Sequence, residues 1–190
     1  NVSHELRTPL TVVHGYLDLV DPDAHPDLAP MLREMQHQSL RMTRLVEDLL
    51  ALSRLEARDR LDEAPVPMAP MLSALRREAE ALSQGRHAIA VHDTAGVDLR
   101  GAQAELHSAF SNLVANAVRY TPAGGTITVT FRLDDGAPVL SVRDTGLGIP
   151  ADHLPRLTER FYRVSASRSR ESGGTGLGLA IAKHVLSLHQ

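Results

Sequence analysis

The sequence predicts an α-helical hairpin followed by a mixed α/β unit. Three observations point there. Apolar residues at heptad spacing run through the first third, a proline-rich break stands at Ala64-Pro65-Val66-Pro67, and helix-like and strand-like runs alternate beyond it. With 190 residues the chain has room for one ordinary domain or two small ones. A hydrophobic content of 43% is enough for packed cores and excludes wholesale disorder.

In the first helix Leu6, Leu10, Val13, Leu17 and Val20 alternate at spacings of four and three; in the second, Met31, Met35, Gln38, Met42, Leu45, Leu49 and Leu52 do the same. The turn-forming stretch Asp21-Pro22-Asp23-Ala24-His25-Pro26 separates them, so the two form a hairpin. A single narrow seam buries little by itself. Pairing two hairpins into a dimeric four-helix bundle would complete the core, and packing the hairpin on its own second unit is the alternative. Past the proline break, Pro70–Leu82 reads as a helix, and His87–Val91 and Val97–Arg100 read as short strands. Ala102–Tyr120 is a helix with Leu106, Phe110, Leu113 and Ala117 on one face. Gly124-Gly125 opens a strand over Thr126–Leu133, and Asp134-Asp135-Gly136 turns into another over Val139–Arg143. About 30 residues rich in Gly, Ser, Arg and Pro follow, a length that usually carries function. A last helix is expected from near Thr175 to the end of the chain.

Composition excludes several classes. Twenty Lys and Arg against 23 Asp and Glu give a net charge of -3, with no run of like charge that would mark a nucleic-acid tail or a membrane-surface helix. Three Phe, three Tyr and no Trp leave little to stack bases on, so no direct nucleic-acid partner is expected. The absence of cysteine excludes disulfides, thiol chemistry and cysteine-ligated metals. No apolar stretch approaches the roughly 18 residues of a membrane span, and no signal peptide is present. The chain opens on Asn1 inside a predicted helix, so we expect a fragment of a longer protein whose sensor and membrane segments lie outside it.

Five segments could carry chemistry. In Ser3-His4-Glu5-Leu6-Arg7-Thr8-Pro9, His4 and Thr8 lie one helical turn apart on one face. Glu5 can hold one ring nitrogen of His4 and leave the other as a nucleophile, although a surface His beside a Glu is more often merely solvated. Thr8 stands where a zinc protease would need its second His. Asn112 and Asn116 share a helix face with Arg119 beyond them; amide oxygens suit Mg2+, while the plainer role is bonding to nearby loops. Asp144-Thr145-Gly146-Leu147-Gly148 follows a strand, where a carboxylate can accept from an adenine amino group and the glycines admit a ligand, or where a simple turn stands. No long helix opens after it, which argues against a dinucleotide fingerprint. Gly174-Thr175-Gly176-Leu177-Gly178 begins a helix whose first amides suit phosphate, without the Lys of a P-loop. Phe161-Tyr162-Arg163 places two of the six Phe and Tyr in the long loop, as ligand anchors or as a small apolar plug. Arg156, Arg168 and Arg170 read as solvent-facing or phosphate-steering. The ten His do not cluster at ligand spacing, and His87, His92, His184 and His189 are read as surface residues.

Taken in order, Ser3–Pro9, Asn112-x-x-x-Asn116, Asp144-x-Gly146-x-Gly148, Phe161-Tyr162-Arg163 and Gly174-x-Gly176-x-Gly178 resemble the H, N, G1, F and G2 boxes of the sensor histidine kinases, over nearly the whole chain. Residues 157–164 and 10–17 are similar to the phosphate-regulon branch of that family, which implies phosphate-starvation signalling. The resemblance implies a dimerisation and histidine-phosphotransfer hairpin at 1–62, a linker at 63–69 and an ATP-binding two-layer α/β sandwich of the GHKL (Bergerat) type at 70–190. Chains of the family continue into a final β-hairpin, so by this likeness the sandwich is truncated and leaves a destabilised open edge. The cofactors implied are ATP and Mg2+. His4 would attack the γ-phosphorus with Glu5 as base or orienter, and Thr8 would position water for the reverse phosphatase reaction. Asn116 would hold Mg2+ with Asn112 assisting; Arg119 and Arg163 would meet phosphate, Tyr120 would pack near adenine and Asp144 would bind the adenine amino group. Residues 150–173 would form a lid with Gly174, Gly176 and Gly178 as its phosphate-side hinge, and Gly146, Gly148, Thr175 and Leu177 would also belong to the ATP site. The partners implied are a second copy of the chain and a response-regulator receiver domain of the OmpR/PhoB type. The implied location is the cytoplasmic side of a bacterial inner membrane, reached only through missing N-terminal segments. A nucleotide-binding regulatory module without kinase activity and a pure dimerisation scaffold are the alternatives.

Overall fold

The computed structural model describes residues 2–58, 60–164 and 174–189, with side chains from residue 8 onward. Helix α1 (Val2–Asp18) runs unbroken through Pro9. A 3-10 turn at Pro22–Ala24, capped by the Asp21 carboxylate, leads to α2 (Ala29–Glu56), which folds back on α1. The Gln36 side chain donates to the Leu17 carbonyl at 3.0 Å and sets the hairpin's register. Counting back along α1 and onward along α2 from that bond brings His4 level with Leu49, because both helices rise equally per residue.

The hairpin's apolar stripe divides between two surfaces. Met31, Met35, Met42 and Leu49 are exposed, as an unpaired bundle seam requires. Leu52, expected in that same seam, is only 2% exposed and belongs with Leu55 to the core of the second unit. Packing of the hairpin on its own second unit therefore operates through Leu52 and Leu55, while Met31, Met35, Met42 and Leu49 stay available to a second copy.

Residues 64–66, expected within a linker, form strand β1 (Ala64–Val66), antiparallel to β3 (Leu99–Gly101). Proline is tolerated there because the ribbon has only two strands, so one edge needs no donor. Helix α3 (Met68–Ser83) begins before the expected Pro70, because the Asp98 carboxylate accepts from the Met68 N–H at 3.0 Å.

The main sheet orders β2 (Ala88–Asp93), β4 (Thr126–Asp134) and β5 (Ala137–Asp144), with β4 central, parallel to β2 and antiparallel to β5. Alternation along β4 sends Ile127, Val129 and Phe131 into the core and Thr128, Thr130 and Arg132 to the other face. Asp135 and Gly136 both have positive φ, as the tight β4–β5 turn demands. Helices α3, α4 (Gln103–Tyr120) and α5 (Gly178–Leu188) pack together over the sheet's apolar face. The result is a helical hairpin followed by a two-layer α/β unit, as predicted.

Two histidines read as surface residues are structural links. His87 Nε2 lies 2.8 Å from the Thr121 carbonyl and its Nδ1 3.1 Å from Ser83 Oγ. His189 Nε2 accepts from the Ala102 N–H at 2.9 Å while Nδ1 donates to the Val185 carbonyl. His189 thereby caps α4, whose N-cap residue Ala102 has no polar side chain.

Candidate active site

Helix α4 supplies one wall. Burying Leu106, Phe110, Val114 and Ala117 turns Asn112, Asn116 and Arg119 toward the loops that follow the sheet. The Asn112 amide donates to the Ser108 carbonyl at 2.9 Å, leaving its oxygen turned toward α5. Any Cβ at Gly178 would fall 2.5 Å from that oxygen, so the first turn of α5 sits against Asn112 only because residue 178 is glycine. The Asn116 amide has no hydrogen-bond partner among the described residues, a donor set free for a hard cation that also takes phosphate and water oxygens.

Beyond β5, Asp144 Oδ1 accepts from the Gly146 N–H at 2.8 Å, which fixes this exposed carboxylate at the strand end. A Cβ on Gly146 would stand 2.6 Å from both Asp144 Oδ1 and the Tyr120 carbonyl. The end of α4 and the loop after β5 are thus in direct contact. Thr145, passed over in the sequence, accepts from the Thr126 N–H at 2.9 Å and secures this loop to β4.

The third wall is the segment before α5, which begins at Gly178 and not at Thr175 as expected, with Thr175 Oγ accepting from the Leu177 N–H at 3.3 Å. A Cβ at Gly174 would lie 3.2 Å from an Arg119 nitrogen and 3.6 Å from the Tyr120 hydroxyl. Phe161, at φ 62°, donates its N–H to the Gly176 carbonyl at 2.9 Å. Gly176 has φ 76°, and a Cβ there would fall 2.9 Å from the Phe161 backbone. Leu177 is fully buried and anchors this wall to the core.

Arg163 joins the same neighbourhood. Burial lowers its pKa, Tyr120 opposes that, and Arg41 and Arg119 lower it further. Arg41 of α2 and Arg119 of α4 thus act electrostatically on Arg163, a positive grouping that favours a nearby anion. Sequence spacing gave no sign of Arg41. Phe161 is exposed, whereas Tyr162 is held by His153 at 2.5 Å and by Arg156 stacked 4.2 Å from its ring centre. Arg156 also pairs with Glu159. Arg168 and Arg170 lie outside the described residues.

The structure thus brings together Asn112, Asn116, Arg119, Tyr120, Asp144, Gly146, Arg163 and the 174–178 segment. Gly148 continues the Asp144 loop at φ 68° with open space around it. Thr8 is exposed on α1. His4 and Glu5 belong to the first turns of α1, and their side chains lie outside the described residues.

Comparison with known proteins now decides the family. Residues 1–58 match the family described as the His Kinase A (phospho-acceptor) domain. Residues 101–190 match the Histidine kinase-, DNA gyrase B-, and HSP90-like ATPase family. The chain belongs to the sensor histidine kinases. It is 53% identical over its whole length to the phosphate regulon sensor protein PhoR of Pseudomonas aeruginosa, spanning 44% of that protein. Over 98% of its length it is 37% identical to PhoR of Haemophilus influenzae, again spanning 44% of the relative. The chain therefore spans less than half the length of these relatives. Among solved structures, full-length ShkA in complex with AMPPNP aligns over 98% of this chain and 40% of its own, with a TM-score of 0.72 and 28% identity. No helix among the described residues is long and apolar enough to cross a membrane.

Proposed function

We propose that this chain is the catalytic core of a phosphate-responsive sensor kinase: it binds Mg-ATP at the α4–Asp144–hinge site, phosphorylates itself on His4 and passes the phosphoryl group to an aspartate of a response regulator. The observation that carries this reading is the convergence of Asn116, Arg119 and Asp144 with a glycine hinge that has no room for a Cβ at Gly176 or Gly178. Such a cradle fits a nucleotide whose phosphates lie on the guanidinium side and whose base lies on the carboxylate side.

Asp144, held by Gly146, offers an acceptor to the adenine amino group, with Gly148 beside it and Tyr120 packing near the ring. Arg119 and Arg163 meet the phosphates, with backbone N–H groups of 174–178. Asn116, assisted by Asn112, would hold a Mg2+ ion, which would supply charge neutralisation on the phosphate chain. A neutral imidazole nitrogen of His4 attacks the γ-phosphorus, the bond to the β–γ bridging oxygen breaks and ADP leaves; Glu5 keeps the other ring nitrogen protonated or takes its proton. For the reverse reaction Thr8, exposed one turn from His4, positions water against the regulator's acyl phosphate. Residues 1–62 serve as the dimerisation and phosphotransfer domain, with the exposed Met31–Leu49 seam meeting a second copy, and residues 70–190 as the ATP-binding domain. The regulator is of the OmpR/PhoB type, and the parent protein presents this core at the cytoplasmic face of a bacterial inner membrane.

Incubation with γ-labelled Mg-ATP tests the reading. Wild type should take up label that survives alkali and is lost in acid, and His4→Ala and Asn116→Ala should take up none. Label retained in both variants would refute the assignment.

A further inference from the structure

Helix α2 reaches across to the nucleotide hinge. Asp48, Leu52 and Glu56 are spaced by four and share one face of α2. Leu52 is buried, Glu56 pairs with Arg160, and Asp48 Oδ2 accepts from Thr175 Oγ at 2.6 Å. The Asp48 carboxylate also feels the charges of Arg119 and Arg44. A negative group from the phosphotransfer helix therefore sits on the hinge hydroxyl and near the guanidinium that the proposed function gives to the nucleotide's phosphates.

We propose that Asp48 competes with the nucleotide's phosphates: its carboxylate takes the Thr175 hydroxyl and the field of Arg119, so that docking of α2 on the hinge and binding of ATP oppose each other. This inference rests on the ATP-binding reading above. By linkage, whatever pulls α2 away from the hinge strengthens ATP binding, and ATP loosens α2 from the hinge by the same factor. The register of the hairpin gives the arrangement its point, since Asp48 stands within one residue of the level of the His4 backbone, and release of Asp48 clears the hinge near the height of the phospho-acceptor. Burial raises the pKa of this carboxyl, with the Thr175 hydroxyl opposing, Glu47 adding to the rise, and Arg119 and Arg44 opposing. The ionised group is therefore held there at a cost, as a displaceable ligand should be.

The test is the affinity of the whole chain for Mg-ATP and for adenosine, in wild type, Asp48→Asn and Asp48→Ala. Asparagine keeps the shape and the acceptor oxygen but removes the charge; alanine removes both, and either folded variant is sufficient. ATP binding should tighten roughly 5- to 20-fold while adenosine, which has no phosphates, binds as in wild type. Unchanged ATP affinity, or an equal shift for ATP and adenosine, would overturn the inference. Failure of wild type to bind ATP at all would overturn the ATP-binding reading itself, which makes the two failures distinguishable.

Discussion

Gly176→Ala tests the geometry of the hinge most sharply. At φ 76° an alanine enters the left-handed region, which costs about 1–2 kcal/mol. Its Cβ would also fall 2.9 Å from the backbone of Phe161, so the two strands of the hinge must separate and the Phe161 N–H loses the Gly176 carbonyl. That bond adds roughly 0.5–1.5 kcal/mol. Together the losses come to about 1.5–3.5 kcal/mol, drawn from a segment that must be ordered to bind nucleotide. Falling on the bound state, they lower ATP affinity by roughly 10- to 300-fold. Gly148→Ala is the matched comparison, because its φ of 68° imposes the same backbone penalty but nothing stands within 4 Å of the new Cβ. Isothermal titration of both variants with ATP should place Gly176→Ala well below Gly148→Ala. Equal affinities would show that the Phe161–Gly176 contact has no part in the site and would refute the reasoning.

Three further outcomes are expected. Leu52→Ala deletes a buried side chain that joins α2 to the second unit and should cost about 2–5 kcal/mol, read by denaturant unfolding, whereas Leu49→Ala on the exposed seam should cost far less. His189→Ala removes the acceptor that caps α4 and should cost about 1 kcal/mol, seen as a lowered Tm. Asp48→Asn should be more stable than wild type at neutral pH, and the gap should close in acid. The carboxyl's pKa is raised by burial against the Thr175 and arginine contacts, so below the ordinary carboxylate range both states are protonated and nothing is lost; as pH rises the unfolded chain ionises first, and wild type loses stability until the folded group ionises too. Melting curves across pH check the sign.

Much of this arrangement is legible in the residues, and the reasons differ by element. The hairpin shows because seam residues repeat at a fixed period, and β4 shows because Ile127, Val129 and Phe131 alternate with polar residues. The walls of the site show because close approach demands glycine at 146, 176 and 178, and glycine in a fixed order is a readable constraint. Residues whose roles come only from distant partners stay silent. Asp48 and Glu56 look like ordinary charges on a helix until α2 is laid against Thr175 and Arg160. His87 and His189 look like surface histidines until Thr121 and Ala102 arrive beside them. Pro65 argues against a strand unless one knows that its ribbon has a free edge. Local pattern reports on local constraint, and the contacts across the hairpin and the second unit are made only by folding.

The most direct test of the central claim is to locate the phosphate. Wild type incubated with Mg-ATP, digested under neutral to alkaline conditions and read by tandem mass spectrometry should carry one phosphoryl group on His4. Phosphate on Ser3 or Thr8 in place of His4, stable to acid, or no phosphate at all in protein that binds ATP, would contradict the account.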